Sequence, residues 1–120
     1  MKYIFLLLLI ANKVIAQDYS FKRVAYDSQI IKTNGVISVS DTVISIKNDN
    51  QPIARYPVQV LLKKDDFVQY KVLLDEEMVM NIFIQPNQLN NKIEKYSMVI
   101  SMSNKLNEYK SKIIYFLIPK

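Results

Sequence analysis

The stretch Gly35-Val-Ile-Ser-Val-Ser-Asp-Thr-Val-Ile-Ser-Ile46 contains the tripeptide Val-Ile-Ser twice, on either side of the dipeptide Asp41-Thr42. Apolar and polar residues alternate through both halves, and this period of two is typical of a β-strand with one buried face. A turn at Asp41-Thr42 pairs the halves as Ser40 with Val43, Val39 with Ile44, Ser38 with Ser45 and Ile37 with Ile46. Because the apolar pairs then share one face, the stretch predicts an antiparallel hairpin.

Two further hairpins follow from the same pairing test. A loop at Lys64-Asp65-Asp66 pairs Leu62 with Val68, Val60 with Tyr70 and Val58 with Val72. A loop at Asp75-Glu76-Glu77 pairs Leu74 with Met78, Val72 with Met80, Tyr70 with Ile82 and Val68 with Ile84. In both registers the apolar residues meet on one face, and this agreement across two independent turns supports the assignment. Three successive antiparallel strands are therefore predicted.

Strands are also predicted at residues 19–26, 96–102 and 109–118, with a further short strand near residues 29–32. The intervening residues 87–95 carry apolar residues at helical spacing and predict either one short helix or a polar loop. Seven or eight short strands favour an all-β fold, a single-domain antiparallel meander that forms a small barrel or a sandwich.

Glycine is scarce for such a fold, since the chain has only one. That glycine follows Asn34, and the dipeptide Asn34-Gly35 is predicted to form a turn. We expect Asn, Asp and Ser to adopt the positive φ values that other turns require.

The first sixteen residues have the features of a signal peptide. A positively charged start precedes the apolar run 4–11, and small or β-branched residues precede a cleavage site after Ala16. This run is much shorter than the roughly 20 residues of a membrane-spanning helix, which disfavours an uncleaved anchor. We therefore expect residues 1–16 to be removed and residues 17–120 to form a single antiparallel β domain. The mature protein is expected to have no membrane span and to be exported, either periplasmic or extracellular.

Composition excludes several classes of function. Cleavage lowers the net charge from +5 to +3, because Lys2 and Lys13 leave with the signal peptide while all the acids remain. The remaining basic residues are scattered along the chain, so no nucleic-acid partner is expected. The absence of histidine and cysteine excludes disulfides, thiol redox chemistry and the usual nucleophile–base pairs. We expect no catalytic residues, no metal and no cofactor.

Carboxylates are the chemistry that this composition leaves available. Two acidic clusters, Asp65-Asp66 and Asp75-Glu76-Glu77, could in principle supply a hard-cation site or an acid–base pair. Both lie at predicted hairpin tips, where charged residues are usually the solvated part of a turn. An enzyme that uses carboxylates alone is therefore the least favoured of the functions considered.

The chain resembles small secreted bacterial β-meander proteins of uncharacterised function. The resemblance rests on the pattern G-x-I-x-V-x-D-x-x-I-x-I at residues 35–46, on the strand that carries Tyr70, and on the tyrosine-rich last strand from Tyr109 to Tyr115. It spans most of the mature chain. It implies a small exported β domain, and it implies no activity.

The residue pattern leaves two binding functions open. The first is a non-catalytic interaction module for an unknown protein or envelope partner, contacted through an open sheet face or edge; Tyr109 and Tyr115 are its candidate partner-binding residues. The second is a small carrier that holds an apolar ligand in a barrel interior lined by methionine, isoleucine and tyrosine. Its candidate ligand-binding residues are Tyr70, Met80, Ile82, Ile100 and Met102. The same five residues would also fill an ordinary core.

Overall fold

The computed structural model describes residues 17–74, 78–87, 92–104 and 110–120. Eight strands follow one another along the chain: β1 Gln17–Tyr26, β2 Gln29–Val39, β3 Val43–Asn48, β4 Ala54–Lys64, β5 Phe67–Val72, β6 Met78–Pro86, β7 Tyr96–Asn104 and β8 Lys110–Pro119. Each strand pairs antiparallel with the next, and β1 pairs antiparallel with β8. The predicted all-β meander is confirmed, and it closes into a barrel.

The signal peptide and the short helix are two of the predictions that fall wholly or partly outside the described residues. The signal peptide predicted at residues 1–16 lies wholly outside them. The short helix predicted near residues 87–95 lies partly outside them, because residues 88–91 are not described, while Asn87 and residues 92–95 are not helical. The part of the chain that the structure describes contains no helix.

The hairpin that joins β2 to β3 has the predicted register, with Ile37 opposite Ile46 and Val39 opposite Ile44. Its turn is closed by Ser40. The backbone N–H of Ser40 donates to the carbonyl of Val43 at 3.0 Å, and the hydroxyl oxygen of Ser40 accepts from the N–H of Val43, also at 3.0 Å. Such side-chain bonds replace the glycine that tight turns usually require.

The next two hairpins agree with the prediction except near their tips. The β5–β6 ladder runs only from Val68–Ile84 to Lys71–Asn81, so the predicted pairs Val72–Met80 and Leu74–Met78 are not part of it. The pairs Val58–Val72, Val60–Tyr70, Tyr70–Ile82 and Val68–Ile84 are as predicted. Leu62, however, lies opposite Gln69 and not Val68, so that prediction was wrong. The cause is a β-bulge at Leu61, which adds one residue to β4 and shortens the connection to the turn Asp65-Asp66.

The predicted turn at Asn34-Gly35 is also wrong, because both residues lie within the continuous strand β2. Gly35 has no positive φ. Its role is steric: a Cβ at this position would collide with the ring of Phe21 on β1 and with the backbone carbonyl of Lys47 on β3. Glycine in a strand interior often marks such a close approach. The turns instead use Asp27, Asn50 and Asp65, whose φ values are 54°, 65° and 50°.

The inward faces of all eight strands form one apolar core. Its largest fully buried side chains include Phe21, Ile37, Ile82, Met98 and Leu117. Aromatic rings pack edge to face at two levels, Phe21 against Tyr115 at 5.0 Å and Tyr19 against Tyr96 at 6.1 Å between ring centres. An eight-stranded barrel is about the width that side chains alone can fill.

Candidate functional site

The candidate site arises from unequal strand lengths. Strand β3 has six residues, whereas its neighbours β2 and β4 have eleven each. On the β3 side, β2 is paired only from Gly35 to Val39. Residues 29–32 of β2 pair with β1 alone, since no described strand lies along their other side. We call residues 29–33 the open β2 edge.

Backbone groups and apolar side chains are both accessible along the open β2 edge. Alternate residues of such an edge direct their N–H and C=O groups away from the paired strand. Residues 29–32 are all exposed, with Ile30 at 58% and Ile31 at 45% of their full accessible surface. A strand that is paired on both sides satisfies its backbone groups within the sheet, whereas this segment has backbone groups that are free to pair with another chain.

A first groove, here called the Tyr26 groove, adjoins the edge on the face that continues the barrel interior. Ile31 belongs to this face because it lies opposite the buried Val24. The groove has a volume of about 400 Å³ and is lined by Tyr26, Ile31, Thr33, Asn48 and Gln51. An apolar side chain from a partner would contact Tyr26 and Ile31 there.

Asn48 supplies the polar groups of the Tyr26 groove. Its amide nitrogen donates to the side-chain oxygen of Gln51 at 3.2 Å. Its amide oxygen is buried and has no hydrogen-bond partner among the residues that the structure describes. The Asn48 side chain also interacts with Tyr115, where a side-chain hydrogen bond lowers the pKa of the tyrosine against the larger, opposite effect of burial.

A second groove, here called the Lys32 groove, lies on the outer wall over β1 and β2, on the side of β2 that is paired with β1. Lys32 lies opposite Arg23, and paired residues share a face of the sheet. The groove has a volume of about 460 Å³ and is lined by Lys22, Arg23, Lys32, Thr33, Asn34 and Glu94. Thr33 lines both grooves, so the open β2 edge separates them.

The charge of the Lys32 groove depends on a fixed ion pair. Arg23 donates from Nε to both carboxylate oxygens of Glu94 at 3.0 Å and from Nη2 to Oε1 at 2.8 Å. This hydrogen bonding raises the pKa of Arg23. The positive charge of Arg23 and the negative charge of Glu94 cancel each other within the pair. Lys22 and Lys32 form no ion pair within the described chain. They are therefore the available cations of the groove.

Strand β4 has a comparable open edge at the other end of the barrel. It pairs with β3 only from Ala54 to Pro57, which leaves residues 59–64 without a described partner on that side. This edge is interrupted by the bulge at Leu61 and carries Lys63. The Nζ atom of Lys63 lies 3.8 Å from Oδ1 of Asp41. Bulges and lysines discourage strand pairing, and the open β2 edge has both as well: it carries Lys32, and β2 has a bulge at Thr33 and Asn34, between the pairs Arg23–Lys32 and Phe21–Gly35. The β4 edge is thus a natural control for the β2 edge.

The structure brings the five candidate ligand-binding residues together inside the barrel. Tyr70, Met80, Ile82 and Ile100 are buried, and Met102 is half-buried against the same core. Burial raises the pKa of Tyr70 to about 12, with smaller contributions from Asp41 and Tyr19. These side chains pack against one another.

Of the two candidate partner-binding tyrosines, the structure describes Tyr115. Tyr115 faces the barrel interior, where its ring packs on Phe21 and only 5% of its surface is exposed. Burial, with smaller contributions from neighbouring tyrosines, raises its pKa to about 12. Tyr109 lies outside the described residues.

Sequence reasoning missed the open β2 edge, because the assumed turn at Asn34-Gly35 divided β2 in two.

Further observations concern metal binding, the acidic clusters and membrane-spanning helices. Within the described ranges, no three acidic side chains come close enough to hold a metal ion. Asp65 and Asp66 form a turn, and residues 75–77 are not described. None of the described segments is a helix of the length and apolar character needed to cross a membrane.

Comparison with known proteins gives no match to a family model, to a curated protein or to a solved structure.

Proposed function

We propose that this protein is an exported, non-catalytic binding module that recognises a protein or envelope partner through the open β2 edge. The observation that carries this proposal is the coincidence of accessible backbone, exposed apolar side chains and two flanking grooves at residues 29–33. Pairing at a sheet edge supplies main-chain hydrogen bonds, while flanking grooves supply specificity.

The barrel interior supports the same choice. Side chains that could have lined a ligand cavity, among them Met80 and Ile82, form part of a buried apolar core. At the level of Gly35, the ring of Phe21 occupies the space next to the backbone. A carrier would need these side chains to separate around its cargo, at the cost of the contacts that stabilise the fold.

Export and the lack of catalysis rest on the sequence. The signal peptide predicted at residues 1–16 would deliver the domain to the periplasm or the medium. A chain without histidine or cysteine has no usual nucleophile–base pair. The function of the domain would then depend on its surface.

Site-specific photo-cross-linking tests the proposed function. Benzoylphenylalanine is placed at Ile30 on the open β2 edge or, as the matched control, at Leu61 on the β4 edge; these side chains are 58% and 49% exposed. After irradiation in a host that exports the protein, we expect a discrete adduct from position 30 and none from position 61. An excess of unlabelled wild-type protein should suppress that adduct. Equal adducts from both positions, or none from position 30, would refute the proposal.

A further inference from the structure

We propose that the open β2 edge accepts, by strand addition, an extended peptide segment in which apolar and acidic side chains alternate. This inference rests on the proposed function and specifies the chemistry of its partner. It follows from three features of the described residues: the free side of β2, the Tyr26 groove and the Lys32 groove.

The backbone defines the shape of the partner. Gln29 to Lys32 form a regular antiparallel ladder with Tyr26 to Arg23 of β1, so this part of β2 is already held in strand geometry. An incoming segment therefore meets preordered N–H and C=O groups and has to be extended to pair with them. Where the edge ends, the carbonyl of Asn34 accepts from the N–H of Asp49 at 2.9 Å. The added strand would thus have about four to five paired residues.

The two grooves define the side chains of the partner. Successive side chains of an added strand point to opposite faces of the sheet. Those on the inner face would enter the Tyr26 groove and contact Tyr26 and Ile31, which favours apolar residues. Those on the outer face would lie beside Lys32 of β2, with Lys22 on β1 one strand further away, which favours aspartate or glutamate.

The fixed ion pair makes the outer preference specific. Because Glu94 already accepts three hydrogen bonds from Arg23, its carboxylate is engaged and does not neutralise Lys22 or Lys32. These two lysines therefore present net positive charge to the position of the added strand.

The same charges argue against a second copy of this chain as the occupant. If two open β2 edges paired antiparallel about a two-fold axis, the Lys32 side chains of both copies would lie on one face of the new sheet. Like charges on neighbouring strands are destabilising. A partner with acidic side chains avoids this cost.

Direct binding measurements test the inference with the mature chain. The probe is a nine-residue peptide, acetylated and amidated, in which valine and aspartate alternate. Two control peptides have lysine in place of aspartate, or carry N-methyl groups on alternate backbone amides. We expect the valine–aspartate peptide to bind and to slow amide hydrogen exchange in residues 29–33 by about tenfold or more. Neither control peptide should do so.

Two protein variants make the test specific. Lys32→Glu should weaken binding of the valine–aspartate peptide by about tenfold or more and should create binding of the valine–lysine peptide. Lys64→Glu makes the same charge change at an exposed position of the β4 edge and should leave both affinities unchanged. Stronger binding at low ionic strength should accompany the wild-type interaction.

Several outcomes would overturn the inference. These are no binding of the valine–aspartate peptide, equal binding to Lys32→Glu, protection of residues 59–64 in place of residues 29–33, or concentration-dependent protection of residues 29–33 by self-association. If a specific adduct still forms at Ile30, only the peptide chemistry fails and the binding module stands. If that adduct is also missing, the proposed function fails as well.

Discussion

The guanidinium carbon of Arg23 lies 4.1 Å from the centre of the Phe116 ring. Arg23 is on β1 and Phe116 is on β8, the two strands whose pairing closes the barrel. The arginine crosses this ring on the outer wall and reaches Glu94 in the connection before β7. Asn87 holds that connection by donating from its side-chain nitrogen to the carbonyl of Glu94 at 2.9 Å. The side chain of Arg23 therefore links the two strands of the closure with the connection that precedes β7.

Replacing Arg23 by alanine should lower the free energy of unfolding by about 2 kcal/mol, because the substitution removes a partly buried ion pair together with a cation–π contact. Urea unfolding measures the change. Arg23→Lys keeps the charge but loses the forked hydrogen bonds, so its free energy of unfolding should lie between those of the wild type and Arg23→Ala. Arg23→Met combined with Glu94→Gln should cost less than the sum of the single changes. A loss below about 0.5 kcal/mol for Arg23→Ala would contradict this account.

Gly35→Ala should destabilise the barrel by about 2 to 4 kcal/mol, because the new methyl group would meet Phe21 and the backbone of Lys47. Thermal unfolding measures the effect. Adding Phe21→Leu should recover only part of the loss, since the contact with the backbone remains. Val36→Ala on the exposed face of the same strand is the matched control and should cost less than about 1 kcal/mol. Similar losses for both alanines would exclude the close approach.

Ser40→Ala should cost about 1 kcal/mol of unfolding free energy, because it removes the hydroxyl that accepts from the N–H of Val43 in the β2–β3 turn. Amide exchange at Val43 should accelerate at the same time. The control is Ser38→Ala, in the same hairpin but away from the turn. If both variants have the same stability, Ser40 does not hold the turn.

Stability should fall at high pH because of Tyr70 and Tyr115. Burial raises the pKa of each hydroxyl from 10.0 to about 12. The folded state thus holds these protons more tightly than the unfolded state. Their contribution, about 2 kcal/mol each, is complete below pH 10 and is lost as the pH rises through 12.

Urea midpoints measured between pH 9 and pH 12 should show this decline. Absorbance at 295 nm should show tyrosine hydroxyls that ionise only near the upper end of this pH range. Tyr70→Phe should make the decline shallower, because one of the two contributing groups is removed. A midpoint that does not change across this range would mean that the two hydroxyls are solvated.

The parts of the fold that sequence analysis predicted depend on short-range pattern. Alternation on both sides of Asp41-Thr42 was enough to predict the register of the β2–β3 hairpin, and the same holds for Val60 with Tyr70. The errors come from long-range packing. Position 35 of β2 is occupied by glycine because Phe21, on another strand, fills the space that a Cβ would take, and the sequence pattern gave no sign of that contact. The bulge at Leu61 also left no mark in the apolar pattern.

The candidate site was not predicted for the same reason. Its position depends on where β3 ends relative to β2, and that relationship appears only when the register of both strands is known. Lys32 and Ile31 have no distinguishing sequence context. They become noticeable because the barrel leaves them at an unpaired edge with a groove on each side.

The central claim is that this protein binds its partner outside a barrel filled by its own side chains. Native mass spectrometry of the protein, purified without detergent from a host that exports it, tests this claim most directly. We predict a bare mass that begins at Gln17, with no small molecule attached. An additional mass of a few hundred daltons that dissociates on activation would show a cargo inside the barrel and would contradict the account.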